Sequence, residues 1–465
     1  MQKSSGIKNT LIVIVLLALT LTPRPITGYI DLQSAIRFEA AGDHSGAAEA
    51  YASAAKRIPW APSLWENAGL KAMQNGDTES AITFLNLARQ RHAITELGWL
   101  SLGSAYQKRG DLSLAVDAWK KALPLAQAAS YLASVERAWS NFAEAIKYWQ
   151  FNLAVEPKNA IGHYTLGLLL AATSPGQALP ELMQAVTLSP DLDVRVEKLR
   201  TALNTALLSE DPAYQFLVSG RALGALGEWD LAAEAFRNAI RVRSNYAEAW
   251  AWVGEAKQHL DQDGNADIKK ALTLDPESAM VQGLFGLALQ RQGKPGEALA
   301  AYKKASILEP GDPGWQIALG NASEQTGDLI AAYDYYIRAV ELAPTDASTW
   351  RAMVTFSVTN NMDVEGTGLP AARKLIALAP DDWQSYDLAG QAEFLLENFS
   401  ASVIYLKKAA QLGPTMAAPA LHLGLVYMQT GDRRLAFSYL ALAENLDPGG
   451  PFGWQASRLL KQYFP

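Results

Sequence analysis

No cysteine occurs among the 465 residues of the chain, which excludes disulfides, thiolate metal sites and a cysteine nucleophile. Histidine is scarce. His44, His92, His163, His259 and His422 are dispersed, and none forms an H-E-x-x-H or other paired-ligand spacing. There is no G-x-S-x-G elbow and no phosphate loop; between Gly286 and Lys294 the glycine spacing is wrong, and Pro295 replaces the hydroxyl residue that would hold magnesium. No catalytic residue, cofactor site or metal site is therefore expected, and the chain reads as a protein that is not an enzyme. Charge is sparse as well: charged residues make up 19% of the chain and the net charge is -7, against a usual charged fraction of about 25%. A protein that binds nucleic acid carries a basic face, so nucleic acid is not expected as a partner.

The N-terminal apolar run, Leu11 to Leu21 with Thr20 as its one break, is shorter than the roughly 20 residues that span a bilayer. It follows Lys3 and Lys8 and precedes Thr22-Pro23-Arg24-Pro25. Two lysines before a short apolar core match a secretory signal. No Ala-x-Ala site follows, which leaves an uncleaved signal anchor open beside a removed signal peptide. In either case the rest of the chain is expected beyond a membrane, exported or anchored through this segment.

What the sequence does have is repetition. Phe285, Gly286, Leu289, Gly293, Ala298, Tyr302, Ala305 and Pro310 recur 34 residues later as Leu319, Gly320, Ser323, Gly327, Ala332, Tyr336, Ala339 and Pro344. Each unit reads as a helical hairpin. Leu319 and small Gly320 share a face of a first helix, Gly327-Asp328 turns the chain, and Ala332, Tyr336 and Ala339 lie on a second helix that Pro344 ends, because proline has no backbone donor and clashes with the preceding turn. Small residues mark where two helices approach closely. Tyr336 is expected to fill the space between hairpins.

This pattern resembles the tetratricopeptide repeat, whose signature has a large residue, Leu-Gly, Tyr, Gly, Ala, an aromatic, Ala and Pro over 34 residues. The resemblance runs from about residue 28 to 450. Strong matches are Trp65, Gly69, Gly76, Ala81 and Ala88, then Trp99, Leu102, Gly103, Tyr106, Gly110, Ala115, Trp119 and Ala122. A first helix from about Tyr29 to Ala41 is weak, a unit at about 126–158 has a clipped loop, and one near Trp350 has a long loop from Asn360 to Gly368. The pattern lapses between Asp191 and Asp211, where Val194, Val196, Leu199, Leu203, Ala206 and Leu207 still space as one amphipathic helix. The resemblance implies an all-α, right-handed α-solenoid of about twelve hairpins behind an N-terminal signal or anchor helix. The organisation expected is 1–27 signal peptide or anchor, 28–190 first block of repeats, 191–212 linking helix, 213–450 second block, and 451–465 a capping helix of the kind solenoid ends require. Helix stacking alone must hold such a fold.

In this family the first helices line a concave face that takes peptides. Carrying the family's groove positions onto this sequence gives Leu100 and Ser104, Tyr164 and Leu168, Leu217 and Arg221, Ala251 and Glu255, Ile317 and Asn321, Asp387 and Gln391, and Leu421 and Leu425. Of the residues a carboxylate clamp needs, only Arg221 and Asn321 are present, repeats apart. A mixed, partly apolar surface for an extended or helical partner segment is expected instead, with about half of these apolar residues serving as core. Two other constellations carry weaker readings. Asp261-Gln262-Asp263-Gly264-Asn265-Ala266-Asp267 has oxygen ligands on a glycine turn, but it lacks the full calcium loop and its terminal Glu, so an ordinary turn is the stronger reading. Trp65, Trp99, Trp250 and Trp350 fall at the bulky first-helix position and read as core, while Trp60, Trp315 and Trp383 lie near repeat junctions and are better placed to stack on sugar. Asn321-Ala322-Ser323 and Asn398-Phe399-Ser400 match a glycosylation pattern by chance. The leading function is a non-catalytic interaction scaffold on the far side of a membrane, in envelope assembly, export or polysaccharide processes; the alternative is a recruiting arm for a separate enzyme such as a glycosyltransferase.

Overall fold

A computed structural model describes residues 23–464. Among these residues are twelve helical hairpins, two further helices and no strand. The described residues are all-α and form two compact units, one ending at residue 244 and the other beginning at residue 245.

Each hairpin closes on a small residue. In the pair Pro313–Thr326 and Leu329–Leu342, a Cβ on Gly320 would lie 2.7 Å from the Tyr336 ring, so only glycine lets the second helix come this near. Tyr336 lies against Gly320 within its own hairpin and also against Phe356 of the next, with ring centroids 5.0 Å apart. It thus packs both within and between hairpins. The turn is made by Gly327 at φ 84°, in the left-handed region, and by Asp328, whose carboxylate accepts from the Ala331 N–H at 3.0 Å to cap the second helix. That helix ends at Leu342, two residues before Pro344.

The first unit holds six hairpins and the single helix Asp193–Ala206. Its first helix runs from Pro23 to Ala40, six residues earlier than the start read at Tyr29. Prolines at 23 and 25 are tolerated there because the first turn has no use for their missing N–H groups. The expected signal core, Leu11–Leu21, lies outside the described residues. No described helix is long and apolar enough to cross a membrane. The helix at 193–206 buries Val196, Leu199, Leu203 and Ala206 and leaves Val194 exposed; it lies within the first unit and not at its edge. The hairpin that follows, Pro212–Ala225 and Trp229–Val242, packs back on the helix Ala160–Thr173. Ser219 Oγ donates to the Ala171 carbonyl at 2.6 Å and Asn238 Nδ2 to the Ala172 carbonyl at 3.0 Å. Both acceptors are last-turn carbonyls with no partner in their own helix. Arg137 adds ion pairs to Glu228 and, at 2.7 Å, to Asp230.

The second unit holds six hairpins and the final helix Pro451–Tyr463. Ala456, Leu459, Leu460 and Phe464 pack on Leu440 and Ala443, so this helix covers the last hairpin. The long loop after Asn360 is built from Asn361 and Asp363 in the left-handed region and a π-helical turn, Val364–Gly368, held by Ser357 Oγ donating to the Met362 carbonyl at 2.6 Å.

Candidate protein-binding groove

The first helices of successive hairpins stand side by side, and what lies open between them is set by side-chain size. In the second unit two cavities open there. The first, about 340 Å³, is lined by Met280, Leu284, Leu287, Trp315, Ile317 and Ala318, with Gln290 and Asn321 as polar groups. The second, about 210 Å³, is lined by Val358, Phe394, Leu395, Leu406, Leu425 and Val426, with Gln391 and His422. Under this second cavity Asp387, 5% exposed, accepts from Gln391 Nε2 and pairs with His422 Nδ1, each at 2.8 Å. A buried carboxylate is tolerable because both neighbours satisfy it. No lysine, arginine or carboxylate lines either cavity, so they suit apolar side chains with amide hydrogen bonds at the edge and offer no lysine or arginine to pair with a free carboxylate.

The residues expected in the groove fall into two groups. Ile317 and Asn321 meet in the first cavity, and Gln391 and Leu425 in the second. Leu100, Leu168, Leu217 and Leu421 are instead buried, as is Ala251; in this structure they belong to the packing between helices. Glu255 is also buried, and the Arg291 guanidinium grips both its oxygens at 2.5 and 2.7 Å. The same carboxylate holds the Arg291 cation and raises its pKa. In the first unit Ser104 is half-buried and donates to the Leu100 carbonyl at 3.1 Å, Tyr164 is half-buried with its phenol pushed up by burial, and Arg221 is exposed. Trp315, expected near a repeat junction, borders the first cavity, and His422, whose place on a first helix reads as packed or groove-lining, borders the second; Met280, Leu287 and Phe394 were not anticipated. Leu287 stands 34 residues before Asn321, in the same register, so extending the repeat by one unit would have found it.

Asp261–Asp267 is an ordinary turn in its contacts: Asp263 accepts from the Asn265 N–H at 2.9 Å, and Asp267, nearly buried, pairs with Lys257 at 2.6 Å. Among the described residues no group of three or more His, Asp or Glu stands ready to hold a metal ion. Of the tryptophans, Trp65 is buried and Trp60 is 61% exposed, while Trp99, Trp250, Trp315, Trp350 and Trp383 are half-buried.

Stacked hairpins, most of them closed by a first-helix glycine against a large aromatic or aliphatic side chain of the second helix, with first helices bordering an apolar groove, define a helical-repeat solenoid. The chain carries tetratricopeptide repeats: the profile described as "Tetratricopeptide repeat" matches residues 32–93, 217–257 and 284–347, and helical hairpins fill the intervals. Its repeats make it a protein–protein interaction scaffold. The chain is similar to the cytochrome c-type biogenesis protein CycH of Rhizobium meliloti, 29% identical over 36% of this chain and 44% of that protein. It is also similar to the cellulose synthase 2 operon protein C of Komagataeibacter xylinus, 28% identical over 31% of this chain and 11% of that protein. The chain thus spans less than half the length of either relative. Among solved structures, the APC/C hetero-tetramer Cut9–Hcn1 aligns over 96% of this chain and 99% of that chain, at 16% identity and a TM-score of 0.48.

Proposed function

We propose that the protein is a non-catalytic scaffold that holds an extended or helical segment of a partner protein along the first helices of the second unit. The observation that carries this is the pair of uncharged, apolar cavities bordered by half-buried Leu287, Ile317 and Leu425 and by the amides of Gln290, Asn321 and Gln391. Apolar side chains of the partner enter the cavities and the amides meet its backbone. The test is in-cell crosslinking of the full-length protein, identification of what is captured, and titration of a synthetic segment of that protein. In the variant Leu287→Asp, Ile317→Asp, Leu425→Asp, we expect affinity to fall by about a hundredfold or more with helical circular dichroism unchanged. Unchanged binding in a folded variant removes these cavities as the working surface. Leu217 and Leu421 are unsuited to this test because both are core.

We further propose that the repeats work on the far side of a membrane, exported or tethered by the Leu11–Leu21 run behind Lys3 and Lys8. The relatives' names, one a cytochrome c-type biogenesis protein and one a protein of a cellulose synthase operon, support envelope assembly or polysaccharide processes as the setting. The second name also favours the alternative of a recruiting arm for a separate enzyme such as a glycosyltransferase. A glycosyltransferase among the partners lost from the triple variant selects that alternative.

A further inference from the structure

The helix Pro23–Ala40 has two unlike sides. Leu32 and Ala35 belong to the apolar core beneath it, and Gly28 sits against Ile58 of the same hairpin. On the opposite side Ile26, Tyr29, Ile30 and Ile36 are 61%, 53%, 60% and 47% exposed. Their spacing places them on one helical face. Terminal units of a solenoid normally turn a polar face to water, and here, among the described residues, four large apolar side chains share the arc with exposed Gln33 and Arg37. The helix's acidic groups are drawn elsewhere. Asp31 pairs with Arg57, and Glu39 pairs with Lys71 at 2.5 Å and accepts from the Tyr51 hydroxyl at 2.6 Å.

Three occupants can cover such a face: a second copy, another protein, or lipid. A stable dimer buries about 800 Å² per partner, whereas one stripe on a helix of 18 residues, about 27 Å long, offers roughly 300 Å². The stripe is too small to hold a protein by itself. The 22 residues that precede this helix carry the Leu11–Leu21 run and lead directly into it. As a helix that run would measure about 16 Å, half of the roughly 30 Å hydrocarbon core, and a single short apolar anchor holds a lipid surface only reversibly unless a second signal adjoins it. Three isoleucines with a tyrosine, and with the carboxylates paired away, are suited to supply that second signal at the headgroup boundary.

We propose that the outer face of Pro23–Ala40 lies in a lipid surface and orients the first hairpin on it. This rests on the reading that the N-terminal segment engages a membrane. The absence of cysteine makes a direct test available. In full-length protein, Ile30→Cys and, separately, Glu49→Cys on the exposed side of the helix His44–Arg57 are spin-labelled. Each is mixed with vesicles of equal parts phosphatidylethanolamine and phosphatidylglycerol. We expect the label at 30 to lose access to a water-soluble relaxing agent and gain access to oxygen, while the label at 49 does not change. Substituting Ile26→Gln with Ile36→Gln, both at exposed positions, is expected to weaken vesicle partition about tenfold or more. Protein that sediments with vesicles while the label at 30 stays in water overturns the proposal and leaves the tether standing. Protein that does not sediment overturns both. Spin–spin broadening at 30 that grows with protein concentration and ignores vesicles assigns the face to a second copy and overturns the lipid reading.

Discussion

Tyr51, Tyr302 and Tyr336 occupy equivalent places in three hairpins, and each phenol donates to a residue twelve positions earlier on the first helix: Glu39 at 2.6 Å, Gln290 at 3.0 Å and Glu324 at 2.8 Å. Burial pushes the Tyr302 phenol up to about 12, and burial followed by the bond to Glu39 pushes Tyr51 up to about 12. Burial, then the bond to Glu324, raises Tyr336 further. The fold therefore favours the protonated phenol over the phenolate. Its contribution is complete below the unfolded value of about 10 and is lost as pH rises through the folded value. Denaturant midpoints are expected to fall between pH 10 and 12, by on the order of 2 kcal/mol for each of Tyr51 and Tyr302, and the double variant Tyr51→Phe, Tyr302→Phe should flatten that fall. An equal decline in wild type and variant would acquit the phenols.

Hairpins could be read from the chain because each of their requirements is local. Gly327-Asp328 gives the turn, Gly320 the close approach and Pro344 the stop, and all lie within 25 residues of one another. The return of Pro212–Val242 onto the helix Ala160–Thr173 could not, because its specifying groups are Ser219, Asn238 and Arg137, polar residues with no periodic signature and partners 48 to 93 residues away. The groove was half legible for a related reason. Positions four apart on a first helix straddle the boundary between open surface and helix–helix contact, so Leu421 is buried while Leu425 borders a cavity. Only the packing of the next helix decides which. The expected consequence of the long-range polar contacts is specific: Arg137→Ala should weaken the docking of the hairpin 212–242 by about 1–3 kcal/mol, because Glu228 and Asp230 lose their half-buried partner. Hydrogen exchange should quicken in 212–242 and not in the hairpin 96–122. Uniform quickening across the first unit would mean that Arg137 serves general stability and not this joint.

At the scale of the whole molecule, repeat proteins distribute stability among neighbouring units, so function need not depend on the full length. Both groove cavities lie between residues 280 and 426, inside the second unit, and the helix Pro451–Tyr463 closes one end of that unit. The fragment 245–465 is therefore expected to fold alone and to bind the partner segment within about threefold of the intact chain, since distant sites without shared contacts contribute independently. Circular dichroism melting and titration with the same synthetic segment check the two parts separately. A fragment that stays helical but binds more than about tenfold more weakly would show that the first unit contributes contacts of its own, and Ser104, Tyr164 and Arg221, its half-buried or exposed candidates, would become the next positions to vary. A fragment that fails to melt cooperatively would mean that residues 245–465 are not an independent folding unit.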